Sequence, residues 1–214
     1  MRTITFAALL LFGTSLIFGQ TAISEAEYSE AYRKADVMTD SLPHRRTTLD
    51  QSFKNGKKAD YEKHMTETLP PDRTRYVYEG TYDGEREDRQ VIKIGEVSYC
   101  KEGKGKWQKT NCDRFTGLPA DSIRSREYSK AEISLEGSPV TQFRYYFTYS
   151  FERDDEKKTV RNMYSEFKFV VDKTGRLVGS ESVVGEIGSK EISSSSRTVY
   201  EYGLTNLKIE APIK

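Results

Sequence analysis

Side chains able to do nucleophilic, acid–base or metal chemistry are few in this chain. It has two histidines and two cysteines in 214 residues. His44 and His64 have no other His or Cys at the short spacing that zinc sites use, so both read as surface imidazoles and no metal is expected. There is no Gly-x-Ser-x-Gly nucleophile elbow, and neither a Ser-His-Asp nor a Cys-His set has a local motif. Carboxylates cluster in Asp83-Gly84-Glu85-Arg86-Glu87-Asp88 and in Asp154-Asp155-Glu156, without the alternating ligand spacing of a calcium loop, and they read as solvated turns. A glycosidase pair is defined by spatial separation, which spacing in the sequence does not give. Asp72-Arg73, after Pro70-Pro71, reads either as a functional loop or as a rigid strand entry. The expectation is a protein that is not an enzyme and carries no cofactor. A net charge of +1 also removes the electrostatic case for nucleic acid.

Aromatic residues are what the chain has in quantity, with 14 Tyr and 10 Phe. Between Val140 and Glu152, Phe143, Tyr145, Phe147, Tyr149 and Phe151 take every second position, while Arg144, Tyr146, Thr148 and Ser150 alternate with them. In a strand that spacing puts five aromatic rings on one side. A later segment offers Met163, Phe167, Phe169 and Val171, and an earlier one Tyr76, Tyr78 and Tyr82. The expected register has Phe167 and Phe169 on the aromatic side and Arg144 and Lys168 on the other, because a one-residue slip would invert every side chain.

The elements that hold this face follow from periodicity. Met1-Arg2-Thr3 and the apolar run Ile4 to Phe18 read as a signal peptide, 1–19, cleaved after Gly19, with a membrane anchor as the alternative. Export makes a disulfide between Cys100 and Cys112 permissible, and the pair is expected. A reversal at Gly103–Gly105 puts Cys100 near Trp107, so Lys109 to Asn111 must curl back for the bond to close. Ser24 and Glu27 have the form of a capping box before Tyr28, Ala31, Tyr32, Ala35 and Met38, which predicts a helix over 25–38. The period then becomes two. An Asn55-Gly56 turn joins strands over 46–54 and 57–68. Further strands are predicted over 75–82, 89–94, 97–101, 106–109, 131–136, 140–151, 160–171, 177–186, 191–202 and 207–210. The stretch 113–130 reads as a loop or lid, with a short helix opening at Pro119-Ala120-Asp121. Residues 20–214 are expected to form a single domain, mainly β, built on one large curved antiparallel sheet. A single 14-residue helix is too little to cover such a sheet, so the sheet either closes on itself or keeps an apolar cavity.

Several short segments carry a family resemblance. They are Leu69-Pro70-Pro71-Asp72-Arg73-Thr74-Arg75, Val91-Ile92-Lys93-Ile94-Gly95, Ser98-Tyr99, Gly105-Lys106-Trp107, Tyr200-Glu201-Tyr202-Gly203 and Ile209-Glu210-Ala211-Pro212. In order, they resemble the succession in bacterial exported proteins of the outer-membrane lipoprotein carrier type, which include the lipoprotein-sorting proteins and the mycobacterial lipid-binding lipoproteins. The resemblance implies an unclosed barrel whose concave apolar face holds acyl chains beneath helical or loop lids. It places Tyr76, Tyr78, Phe143, Tyr145, Phe147, Tyr149, Phe151, Phe167 and Phe169 as lining of that cavity. The chain departs from the pattern in having no lipid-attachment cysteine and no identifiable cavity arginine of the carrier proper. The resulting expectation is a monomeric periplasmic or secreted protein that holds a lipid or a lipidated partner. An envelope sensor of the same fold, docking another envelope protein, is the alternative, and a carboxylate hydrolase is the second rival.

Overall fold

The structure is a computed structural model that describes residues 18–82, 85–109, 123–152 and 160–213. One helix and twelve strands follow in the order β1 (Phe18–Ala22), α1 (Glu25–Asp40), β2 (His44–Lys54), β3 (Lys57–Leu69), β4 (Arg73–Tyr82), β5 (Glu85–Ile94), β6 (Val97–Glu102), β7 (Gln108–Lys109), β8 (Ile123–Leu135), β9 (Ser138–Glu152), β10 (Val160–Val171), β11 (Leu177–Glu186) and β12 (Ile192–Tyr202). All twelve strands form one antiparallel sheet in the order β1-β8-β9-β10-β11-β12-β2-β3-β4-β5-β6-β7. Two meanders, β8 to β12 and β2 to β7, are thus sewn together along β12 and β2. The edges β1 and β7 do not pair with each other, so the sheet is an unclosed half-barrel.

Helix α1 starts where its cap predicts. The Ser24 hydroxyl accepts the Glu27 backbone N–H at 3.1 Å, and Glu25 and Glu27 occupy the first turn, where the helix dipole favours negative charge. It runs two residues past the expected Met38. The reason is Thr39, which is buried and whose hydroxyl accepts the Leu177 backbone N–H at 3.0 Å. The Tyr202 hydroxyl donates to the Leu177 carbonyl at 2.6 Å, closing this end of the helix onto β11 and β12. At the hairpin between β2 and β3, Asn55 and Gly56 both take positive φ, +54° and +69°, as a two-residue turn between twisted strands requires.

The pairing confirms the register expected for the aromatic strand. Phe143 lies opposite Phe169, Tyr145 opposite Phe167, and Arg144 opposite Lys168. Tyr28 of α1 packs on this face, with ring centroids 5.2 Å from Phe169, 5.3 Å from Tyr128 and 5.9 Å from Tyr145. Tyr28, Ala35, Phe143, Phe169 and Leu177 form the core there. The opposite face has a smaller apolar cluster of Ala131, Ile133, Val140 and Val170. An irregularity between Val170 and Val171 places Leu177 on the helix-bearing face and Val178 against the other cluster.

Four expectations are corrected. A strand that periodicity did not predict, β1, forms at Phe18–Ala22, because β8 offers it an edge. Residues 123–130 belong to a strand rather than a lid: their polar composition hides a pairing with β9 that tertiary context supplies. The predicted short helix, and the rest of the expected lid, lie in 110–122, outside the described residues. No strand forms over 207–210; Gly203, at φ +73°, turns the chain out of β12, and Ile209 is then buried with its carbonyl held by Arg73 Nη1 at 3.1 Å. In the β6–β7 reversal Cys100 stands opposite Gln108 rather than near Trp107, a shift of one residue.

Candidate functional site

The helix-bearing face changes character across the sheet. Cross-strand pairing links Phe169, Ser180, Thr198, Thr48, His64 and Tyr78 in one row, and Phe167, Ser182, Ser196, Asp50, Glu62 and Gly80 in the next. Each row begins with a phenylalanine on β10 and passes through hydroxyls to ionisable groups on β2 and β3. Strands are about 4.8 Å apart, so along the sheet Phe167 of β10 stands roughly 15 Å from Asp50 of β2, three strands away.

Within the aromatic half, α1 covers only part of the stripe. Phe143 is 9% exposed and Phe169 is 0% exposed, stacked on each other at 4.8 Å beneath the helix. Further along β9 the rings continue from Tyr145 to Phe147 at 4.9 Å and from Phe147 to Tyr149 at 5.7 Å, and these three are half-buried. Phe167 is also half-buried, edge-on to Tyr32 of α1, itself exposed. The side chain of Phe151 lies outside the described residues. Burial pushes the pKa of the Tyr128 and Tyr200 phenols up to about 12, so both stay neutral.

The polar half is built on β2, β3 and β4. His64 Nε2 stands 3.1 Å from Asp50 Oδ2 and 3.2 Å from Glu62 Oε2, and its Nδ1 lies 2.5 Å from the Tyr76 hydroxyl. The Asp50 bond raises the His64 pKa against the pull of burial. Burial alone would raise the Asp50 carboxyl, but hydrogen bonds from His64 and Ser196 hold it below the usual range. The Tyr78 ring packs 5.2 Å from the His64 ring and leans over Gly80, where a Cβ would fall 2.5 Å from the Tyr78 hydroxyl. Beside the cluster opens a cavity of about 310 Å³ lined by Asp50, Ser52, Asp60, Glu62, Ser182 and Ser194–Ser196 among others.

Neither histidine is the surface imidazole expected from spacing. His44 is 3% exposed, its Nδ1 is 3.0 Å from the Leu42 carbonyl, and it lies against Tyr200 and Tyr202. His64 belongs to a cross-strand cluster. Spacing failed because Asp50 and Glu62 meet through strand pairing: the Asn-Gly turn alone would set Asp50 against Tyr61, and an irregularity between Gln51 and Phe53 moves the pairing by one residue to Glu62. The structure brings Tyr76 and Tyr78 to this polar cluster, across the face from the phenylalanines. Cys100 is half-buried on β6 between Val91 and Gln108, and its expected partner Cys112 lies outside the described residues. Of the charged turns, Glu85–Asp88 is exposed on β5, and Asp154–Glu156 lies outside the described residues.

Comparison with protein-family models and with curated proteins gives no match. Among solved structures, the chain is similar to LprF from Mycobacterium bovis, at 8% identity and a TM-score of 0.44, over 91% of this chain and 100% of that one. It is also similar to a LolA superfamily protein from Nitrosomonas europaea, at 7% identity and a TM-score of 0.30, over 81% of this chain and 91% of that one. Among the described residues, no helix is long and apolar enough to cross a membrane.

Proposed function

We propose that this chain is an exported, monomeric, non-enzymatic binding protein that holds the acyl chain of a lipid or of a lipidated partner on the aromatic half of the helix-bearing face. One observation carries the reading: the aromatic stripe runs on past the helix that should cover it. Phe143 and Phe169 serve as core beneath α1, while Tyr145, Phe147, Tyr149 and Phe167 keep exposed ring surface beside them. Burying each methylene of a chain against such a floor is worth about 0.8 kcal/mol, so an alkyl chain binds with no covalent step.

The test compares two positions on one strand. Phe143→Ser removes a ring buried under α1 and is expected to cost about 3–5 kcal/mol of stability, lowering the urea midpoint strongly. Phe147→Ser removes a half-exposed ring; the midpoint should fall much less, while affinity for a fluorescent fatty acid falls at least tenfold. Mass spectrometry of organic extracts from natively purified protein should show a lipid. Wild-type protein that does not bind the probe, or equal midpoint losses for the two variants, overturns the reading and leaves the stripe as ordinary core.

A further inference from the structure

Asp50 and Glu62 are direct partners across β2 and β3. Two carboxylates placed opposite each other repel and weaken strand pairing unless a positive group sits between them. Among the described residues no Lys or Arg lines the adjoining cavity, and Asp60 adds a third carboxylate to its wall. The group that does face both carboxylates is one ring nitrogen, His64 Nε2, at 3.1 and 3.2 Å. A single N–H directed at two carboxylates serves neither well. The other nitrogen is engaged by Tyr76.

We propose that Asp50, Glu62 and His64 form a three-donor site for a divalent cation of the zinc class, with Tyr76 as its positioning residue. Three donor atoms, one from each residue, lie within 4.8 Å of one another. A tetrahedral ion with bonds of about 2.0–2.2 Å needs donors roughly 3.4 Å apart, close to the two distances from Nε2. Binding places the Nε2 lone pair on the metal and the ring proton on Nδ1, which then donates to the Tyr76 hydroxyl oxygen. That is the outer hydrogen bond that metal-ligating histidines ordinarily make to fix tautomer and ring orientation. An imidazole with two carboxylates suits zinc and its neighbours in the first transition row better than calcium or magnesium, which take oxygen donors. Three protein donors leave a coordination position open, and the cavity with its Ser182, Ser194 and Ser196 lining stands beside it. The site does not depend on the lipid reading, since it uses the other half of the face.

The experiment uses tag-free, chelator-treated full-length protein titrated with Zn²⁺ in a calorimeter, and with Co²⁺ followed by visible absorption. One equivalent should bind with submillimolar or tighter affinity, and Co²⁺ should show the intense bands of low coordination number. Asp50→Asn and Glu62→Gln should each weaken Zn²⁺ binding at least tenfold, and His64→Asn should abolish the Co²⁺ bands. Tyr76→Phe keeps the ring and removes only the outer hydrogen bond; a loss of about 10–100-fold is expected, with an unchanged urea midpoint in the absence of metal. Circular dichroism matched to wild type establishes that each variant is folded. Absence of saturable binding, or binding that survives Asp50→Asn and Glu62→Gln alike, overturns the proposal; the cluster is then an imidazolium held between two carboxylates.

Discussion

At the scale of single residues, Tyr28 shows how burial and chemistry can conflict. Its ring joins α1 to Tyr128, Tyr145 and Phe169, yet its hydroxyl is buried with no hydrogen-bond partner among the described residues. Burial pushes the phenol pKa well up, so the group stays neutral. A buried, unsatisfied hydroxyl costs about 1–3 kcal/mol, and Tyr28→Phe removes that cost while keeping the ring contacts. The urea midpoint of Tyr28→Phe is therefore expected to rise; a fall would mean that the hydroxyl has a partner in the folded protein. The sequence marked Tyr28 as an apolar helix position by its spacing to Ala31, Tyr32 and Ala35, but the orphaned hydroxyl is visible only once the surrounding rings are in place.

At the scale of elements, the turn from β10 to β11 is organised by Asp172. Its carboxylate accepts from the Thr174 and Arg176 backbone N–H groups at 2.8 and 3.1 Å, and forms an ion pair with Arg176 at 2.6 Å. Burial raises the pKa of this carboxyl, but those bonds outweigh it and hold it below the usual range. A depressed folded value means that the stabilisation is complete above the unfolded pKa, about 3.9, and is lost as pH falls through the folded value. The midpoint difference between wild type and Asp172→Asn should thus be constant near neutrality and shrink below about pH 4; a gap independent of pH would assign Asp172 a purely steric role. For the β6–β7 reversal we propose the disulfide between Cys100 and Cys112. It predicts no thiol titratable in unreduced, denatured exported protein, whereas two alkylatable thiols would reject it.

At the scale of the whole molecule, two meanders meet at the β12–β2 seam, and a line of charge crosses that seam on the face away from α1. Arg45 bridges Glu201 of β12 at 3.0 Å and Glu67 of β3 at 2.7 Å, and Arg75 of β4 completes the ion pair with Glu67. Glu67 is 0% exposed, so Glu67→Ala leaves two guanidinium groups, each about a third exposed, without their shared partner; the expected loss is about 1–3 kcal/mol, read as a lowered urea midpoint. A change within experimental error would show that water satisfies Arg45 and Arg75. Both the line of charge and the seam were beyond the reach of sequence, because Arg45 and Glu201 are distant in the chain and meet only when the second meander returns to the first. What the sequence determined was local. Period-two alternation marked most of the strands and the face of Phe143 to Tyr149, Ser24 fixed the start of α1, and Asn55-Gly56 fixed one hairpin turn, since each depends on near neighbours and backbone sterics. The tertiary structure decided which parts of that face α1 would cover and that residues 123–130 would pair as strand. It also decided that Asp50, Glu62, His64 and Tyr76 would share one side of three strands. These outcomes depend on pairing partners and on burial, which the spacing of residues along a chain does not encode.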